Sequence, residues 1–272
     1  MMPDPASSAS PDGALPTDLP QALALLARRE QELAALRASH DDWLRALSHD
    51  LRAPLRHITS YAPLLREILH VAGLQGADAQ EAEQFLGVME QAARRMGGML
   101  DGVLQVAGML REPQRRQTVD LAQMAAEVRA ALLAAEPAAQ LVQWDLPATP
   151  VLLQADPELL RPMLAALFDN AFKFSRGQPL PRISLQAEAL PGGAWRWRVQ
   201  DNGVGCDGAR AGQVFGLFQR LHRETEFDGA GVGLAVAQTA ARLQGADIAL
   251  HSAPGQGCTV VVDWLERAAA AR

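Results

Sequence analysis

Apolar positions recur down the first part of the chain at Leu23, Leu26, Leu33, Leu44, Leu47, Leu51, Leu55, Ile58, Ala62, Leu65 and Leu69. The spacings are threes, fours and multiples that keep one face, which predicts a long helix with a coiled-coil-like seam. Pro54 removes one backbone donor inside it and predicts a kink rather than an end. Gly73 and Gly76 break the pattern. It resumes with Phe85, Met89, Ala92, Met96, Met99, Val103 and Leu110 on one stripe of a second helix. Two helices joined by a short glycine-containing loop make an antiparallel hairpin. Each keeps an apolar stripe that pairing of two hairpins would cover, so the expectation is a homodimer built as a four-helix bundle. A hairpin that packs only on its own chain is the alternative.

Pro113–Gln117 reads as a short polar connector, after which the pattern becomes mixed. Helices are predicted over 121–135, over 157–174 with a proline near the first turn, and over 232–243. Strands are predicted over 141–144, 151–153, 183–189, 195–200, 248–252 and 259–264, with turns at Pro191-Gly192-Gly193 and Pro254-Gly255-Gln256-Gly257. This mixture predicts an α/β sandwich, one sheet covered by helices. The expected organisation is a flexible tail over 1–20, rich in Pro, Ser, Ala and Asp. An N-terminal helix follows over 21–43, then a dimerisation segment over 44–112, a second domain over 117–266 and a tail over 267–272. Glu266–Arg272 reads as a short fraying helix. Trp195 and Trp197 alternate along a strand and are expected to pack on one face.

The chain has 272 residues, 49% hydrophobic and 21% charged, which suits two folded domains. A net charge of -6 without a long basic run argues against nucleic acid as the main partner. No stretch reaches the ~20 apolar residues of a membrane span, and Met-Met-Pro-Asp-Pro is no secretory leader. Cys206 and Cys258 lie far apart in sequence and make no metal-type pair, so a reducing cytoplasm fits best. Cys206 is expected to be a small filler.

Several segments carry chemistry. In Ser48-His49-Asp50-Leu51-Arg52-Ala53-Pro54-Leu55, His49 falls opposite the side on which Leu44, Leu47 and Leu51 would meet a core. An imidazole displayed there can act as a nucleophile, and Asp50 beside it can hold the other ring N–H or accept a proton. Asp201-Asn202-Gly203-Val204-Gly205 follows a predicted strand; its carboxylate can accept from an exocyclic amine such as adenine's, and its glycines allow close backbone approach. Asp228-Gly229-Ala230-Gly231-Val232-Gly233-Leu234 opens a helix, whose free N–H groups suit phosphates. No Gly-Lys-Ser/Thr follows, so it is not a Walker loop. In Asp169-Asn170-Ala171-Phe172-Lys173-Phe174-Ser175, Asn170 offers an oxygen suited to Mg²⁺ and Lys173 an ammonium for phosphate. Each segment alone also reads blandly, as a surface histidine, ordinary turns or a helix end.

Taken in order, these segments resemble the boxes of the bacterial two-component sensor histidine kinases. Ser48–Leu55 is similar to their phosphoacceptor box, Asn170–Lys173 to the N box, Asp201–Gly205 to the first glycine box and Gly229–Gly233 to the second. Val214-Phe215-Gly216-Leu217-Phe218-Gln219-Arg220-Leu221-His222 resembles the F box in its phytochrome-type form. The resemblance runs from about Leu44 to Trp264. It implies a dimerising helical hairpin followed by the GHKL ATPase (Bergerat) fold shared with Hsp90, gyrase and MutL. It implies that Asp201 binds the adenine amine, that Asn170 ligates Mg²⁺ and that Lys173 contacts phosphates. Gly203 and Gly205 would approach the ligand, and Arg220–Asp228 would form a lid with Arg220 or His222 reaching the phosphates. Gly229, Gly231 and Gly233 would close over them, with Leu234 and Thr259 completing the nucleotide site. His49 would take the γ-phosphoryl group of ATP and pass it to an aspartate of a response regulator receiver domain.

Two departures stand out. Many members carry another asparagine where this chain has Ala166, which implies weaker Mg²⁺ or nucleotide binding. Many carry Thr or Asn where it has Ala53, which implies weak phosphatase activity. Competing readings are a kinase-like scaffold that holds nucleotide poorly, favoured by Ala166, and a mechanical ATPase of the same fold, opposed by the histidine box. Residues 1–43 are too short for an ordinary sensory domain. The input is therefore expected from a separate sensory protein on the N-terminal helix, or from the other half of a split sensor.

Overall fold

A computed structural model describes residues 18–73, 75–208, 212–221, 227 and 229–265. Outside them lie residues 1–17 of the expected N-terminal tail, His222, most of the expected lid and the C-terminal tail. The chain divides into two compact units, the first ending at His49 and the second starting at Asp50.

The first unit holds the start of helix α1 (Leu19–Val71). Asp18 caps it, its carboxylate accepting the Gln21 N–H at 2.9 Å. Arg28 and Arg29 both pair with Glu32, at 2.9 and 2.7 Å. Leu23, Leu26 and Leu33, read as seam positions, are exposed.

In the second unit α1 passes through Pro54 and Pro63 and ends before a turn in which Gly73 and Gly76 take positive φ. Helix α2 (Ala77–Arg111) returns to complete the predicted hairpin. Its inner contacts rest on Ala62 of α1 and on Leu86, Glu90 and Ala93 of α2. Buried Glu90 is bracketed by Arg66 at 3.4 Å and Arg94 at 3.0 Å, and Arg66 also reaches Glu83 at 2.6 Å. The buried positions of α2 thus lie one residue after the predicted stripe at Leu86, Glu90 and Ala93, and one residue before it at Gly102 and Met109. Phe85, Met89 and Met96 face outward, together with Tyr61, Leu65 and Ile68 of α1. Leu47 and Leu51 likewise stay 38% and 40% exposed, whereas Ser48 is buried. The hairpin closes on Ala62, Leu86, Glu90 and Ala93 and leaves many of its large apolar residues exposed.

The connector is strapped down rather than loose. The Arg115 N–H donates to Asp156 at 2.7 Å and Arg116 to the carbonyl of Gln244 at 2.6 Å, while Gln114 reaches the carbonyl of Leu243. Beyond it comes β1 (Gln117–Asp120), where the sequence pattern predicts no strand and which pairs antiparallel with β3 (Leu152–Ala155). Between them lie α3 (Leu121–Ala135) and β2 (Gln143–Asp145). The strand predicted from Leu141 starts late, because Pro137–Leu141 forms a 3-10 turn. Helix α4 (Pro157–Ser175) is capped by Asp156, whose carboxylate accepts the Glu158 N–H at 3.0 Å.

The main sheet has five strands in the order β2-β4-β5-β7-β6. Its later members are β4 (Arg182–Ala189), β5 (Trp195–Asp201), β6 (Ala246–Ser252) and β7 (Cys258–Trp264), with α5 (Gly233–Leu243) before β6. β2 runs parallel to β4 and all other pairs are antiparallel. Strand alternation places Ile183, Leu185, Trp197, Val199, Val260 and Val262 in one core with Leu160, Leu164, Leu167 and Phe168 of α4 and Val236, Ala237, Ala240 and Ala241 of α5. Burying a side chain of this size stabilises by roughly 1.5–3 kcal/mol. Arg196, on the other face, makes a bidentate pair with Asp263 at 2.6 and 3.0 Å. The result is the expected α/β sandwich, with the small β1–β3 sheet as an addition.

Candidate functional site

A cavity of about 250 Å³ opens where the end of α4, the end of β5 and the start of α5 converge. Asp201 closes the β5 end. Its side chain is buried, and its carboxylate accepts the Gly203 N–H at 2.8 Å. Burial pushes this carboxyl up to about 6, against the pull of the Gly203 and Cys258 N–H groups. A desolvated carboxylate held by two amides is a fixed acceptor for an amine of a ligand.

The loop after Asp201 is tightly fitted. A Cβ on Gly203 would lie 2.4 Å from the carbonyl oxygen of Phe174, whose acceptor also takes the Val204 N–H at 3.2 Å. Gly205 has φ of 63° and a Cβ there would fall 2.0 Å from the Ala253 carbonyl oxygen. Only glycine combines that backbone with that approach. The β6–β7 turn is bound to this loop: the Ser252 hydroxyl accepts the Cys206 N–H at 2.8 Å and donates to the Gly257 carbonyl at 2.7 Å. The Gly255 N–H reaches the Val204 carbonyl at 2.7 Å.

Asn170 and Lys173 come from the last turns of α4, three residues apart and so on one face. Both line the cavity and both are half-buried. The Lys173 ammonium lies 4.9 Å over the Phe174 ring and 2.7 Å from where a Cβ of Gly229 would sit. Phe174 meets Phe227 with ring centres 4.9 Å apart.

Gly229, Ala230, Gly231, Val232, Gly233 and Leu234 form the opposite wall, with the α5 N-terminus among them. Val232 offers no side-chain cap to α5, and the first N–H groups of a helix are the ones suited to an anion. Phe218 is the one non-glycine residue with positive φ among the described residues, at 64°, and its N–H donates to the Gly231 carbonyl at 2.8 Å. Arg220 donates to the Phe227 carbonyl. Backbone strain of this kind tends to collect at functional sites.

The structure thus brings Asn170, Lys173, Asp201, Gly205, Arg220, Gly229, Gly231, Gly233 and Leu234 around one cavity. Gly203 supports it from behind. Thr259 is not brought there: it alternates with Cys258 and Val260, which line the cavity, and so points to the other face of β7. His222 is outside the described residues. His49 and Asp50 are exposed on α1. Ser252, Cys206 and Cys258 are cavity residues that motif reading did not assign to the site. The Gly-x-Gly turn before Cys258 was the available signal for the last of these. Among the described residues no cluster of three or more His, Cys, Asp or Glu side chains could hold a metal. Asn170 offers a neutral oxygen to the cavity, which suits a cation bound largely through ligand phosphates.

A helical hairpin carrying an exposed histidine, followed by this cavity-bearing α/β sandwich, defines a phospho-acceptor segment joined to a GHKL-type ATPase domain. The comparisons agree. Residues 39–112 match the His Kinase A (phospho-acceptor) domain, and residues 155–269 match the histidine kinase-, DNA gyrase B- and HSP90-like ATPase family. The chain belongs to the two-component sensor histidine kinase family. Phytochrome-like protein Cph1 of Synechocystis sp. is 29% identical over 244 residues, covering 86% of this chain and 31% of that protein. Sensor protein kinase WalK of Staphylococcus haemolyticus is 25% identical over 227 residues, covering 81% of this chain and 36% of that protein. This chain therefore spans only about a third of the length of such relatives. The full-length ShkA structure in complex with AMPPNP shares the fold, with a TM-score of 0.54 at 23% identity over 82% of this chain and 45% of that one. No helix among the described residues is long and apolar enough to cross a membrane.

Proposed function

We propose that this chain is an ATP-dependent autokinase that phosphorylates His49 and passes the phosphoryl group to an aspartate of a response regulator receiver domain. The observation that carries the reading is one cavity with a fixed acceptor, Asp201, at one end and an uncapped helix N-terminus, Lys173 and Asn170 at the other. That is the polarity of a nucleotide: base amine to Asp201, phosphates to the α5 amides and Lys173. The residues fit Mg²⁺, with Asn170 as its protein ligand. Bound there with the phosphates, the ion would neutralise charge on the phosphoryl oxygens.

His49 contributes the nucleophile. A ring nitrogen lone pair attacks the γ-phosphorus, the bond to the bridging oxygen breaks, and ADP leaves. Asp50 accepts or holds the ring proton on the other nitrogen. Because little covalent work falls to the ATPase domain, positioning and electrostatics dominate.

The hairpin is proposed to form a homodimeric four-helix bundle, and the exposed Tyr61, Leu65, Ile68, Phe85, Met89 and Met96 support this. A separate sensory protein on the N-terminal helix is the proposed input. The proposed domain limits are 21–43 for that helix, 44–112 for the phosphotransfer segment and 117–266 for the ATPase. Ala53 offers no hydrogen-bonding group near His49, and weak phosphatase activity is the consequence. Ala166 favours a second reading, a scaffold that binds nucleotide poorly.

Incubation with γ-labelled ATP and Mg²⁺ separates them. Acid-labile, base-stable label lost in both His49→Gln and Asn170→Ala is the expected result. A folded, nucleotide-binding protein that takes up no label, even with its input partner supplied, leaves the scaffold reading.

A further inference from the structure

Helix α2 contains Gly87, Gly97, Gly98, Gly102 and Gly108. At Gly87, Gly97 and Gly108 an added Cβ would meet nothing within 4 Å. Gly98 and Gly102 lie one turn apart and face the second glycine segment. A Cβ on Gly102 would fall 2.6 Å from the Val232 Cβ and 2.7 Å from both of its methyl groups. One on Gly98 would fall 3.1 Å from the Ala230 Cβ. Ala230 and Val232 line the cavity, and Val232 is the residue from which α5 starts. Glycine is costly inside a helix. Here it opens a notch in α2 that seats the cavity wall, and Gly102 is buried there.

The connector that follows α2 holds the far end of α5. The Gln114 amide donates to the Leu243 carbonyl, and the Arg116 guanidinium donates to the Gln244 carbonyl at 2.6 Å. Carbonyls at a helix C-terminus lack partners within the helix, and a cation there also meets the negative end of its dipole. Gln244 is buried, and its side-chain oxygen accepts the Asp156 N–H at 2.6 Å. Asp156 takes the Arg115 N–H at 2.7 Å while it caps α4. One stretch of chain, 98–116, therefore grips α5 at both ends, about 16 Å apart for a helix of 11 residues.

We infer that α2 and the connector are positioning elements of the nucleotide site: through Gly102 at one end of α5 and Gln114 and Arg116 at the other, they set where its N-terminus meets the phosphates. The inference rests on the reading of this cavity as the nucleotide site. Helices shift at packed interfaces as whole bodies. A displacement imposed at Val232 or at Gln244 is thus carried to the first amides of α5. Asp201 stands on β5, and none of these contacts reaches it. Altering the grip should therefore weaken the hold on phosphates and spare the hold on the base.

The test uses the full chain and two ligands: AMPPNP with Mg²⁺, and adenosine, which has the base but no phosphate. Affinities are read by displacement of a fluorescent ATP analogue, and urea unfolding shows whether each variant is folded. Gly102→Ala is expected to weaken AMPPNP binding at least fivefold and adenosine binding less than twofold. In a Val232→Gly background the notch has no side chain to receive, and there Gly102→Ala is expected to change AMPPNP affinity less than twofold. Gln114→Ala with Arg116→Ala trims two exposed side chains at the other end. At least threefold weaker AMPPNP binding, with adenosine binding unchanged, is expected of that pair. Wild-type AMPPNP affinity in Gly102→Ala, equal losses for both ligands, or an equal loss in the Val232→Gly background overturns the role of Gly102. Wild-type AMPPNP affinity in the connector pair overturns the grip on α5, and that pair decides alone if Gly102→Ala does not fold. Wild-type protein that binds neither ligand removes the reading of the cavity, and this inference with it.

Discussion

Asp201 is expected to trade stability for binding, and Asp201→Asn exposes the trade. The wild-type carboxyl rises from 3.8 to about 6 because folding strips it of water faster than the Gly203 and Cys258 amides compensate. A buried acid with a raised pKa binds its proton more tightly when folded. Its contribution to stability is therefore greatest when protonated, below 3.8, and is lost as pH rises through about 6. Moving one carboxyl from 3.8 to about 6 corresponds to about 3 kcal/mol. Asparagine keeps the shape and has no charge to desolvate. The stability of the variant relative to wild type should hence improve by up to about 3 kcal/mol between pH 4 and pH 7.5. Urea unfolding followed by tryptophan fluorescence reads this domain, because Trp144, Trp195, Trp197 and Trp264 all lie in it. Nucleotide affinity should move the other way. An amide in place of a charged acceptor sacrifices a bond of about 1.5–3 kcal/mol, a loss of roughly tenfold to a hundredfold. A stability difference that is the same at both pH values would refute the desolvation argument. Undiminished binding would refute the role of Asp201.

Three other variants test separate parts. A Cβ on Gly233 would meet nothing nearer than the Ala166 Cβ at 3.8 Å, so Gly233→Ala should unfold at wild-type urea concentration while nucleotide affinity falls severalfold. Destabilisation instead would make Gly233 a folding residue. Ala166→Asn places an amide beside the α5 N-terminus; one added hydrogen bond of about 0.5–1.5 kcal/mol should raise Mg²⁺-ATP affinity roughly twofold to tenfold by calorimetry. Unchanged affinity would show that Ala166 is not a deficit. Leu65→Glu with Ile68→Glu puts charge on an exposed face, and light scattering should report conversion of dimer to monomer. Retained dimers would move the interface elsewhere.

Helices and the sandwich were legible because long periodic patterns constrain them. α3 falls on the residues that the pattern predicted, and α4 and α5 differ only at their ends. β1 was not legible: Gln-Thr-Val-Asp has one apolar residue, and only its pairing with β3 makes it a strand. On α2 the buried positions shift to one residue after the predicted stripe around Glu90, which ion pairs hold inside, and to one residue before it at Gly102 and Met109. Motifs carry most of the cavity, since glycines and a buried acid leave local marks. Thr259 shows the limit of motif reading, as one step along a strand reverses the face. Ser252 and Cys258 were hidden because their place at the cavity comes from cross-strand neighbours, which no local spacing encodes.

The two ends of the cavity are built differently, and the difference bears on how the site would work. The Asp201 end is held by three cross-loop hydrogen bonds, those of Ser252 with Cys206 and Gly257 and that of Gly255 with Val204. Its glycines fit against backbone carbonyls with no room to spare. The opposite end is tied by the Phe218–Gly231 backbone bond and by Arg220 reaching Phe227, with a strained φ at Phe218. Base recognition needs a preformed acceptor, since an amine is small and its hydrogen bond directional. Phosphoryl transfer needs groups that can close on charge as it develops. With a nucleotide seated as proposed, a rigid base end and a strained phosphate end would divide those demands between two loops.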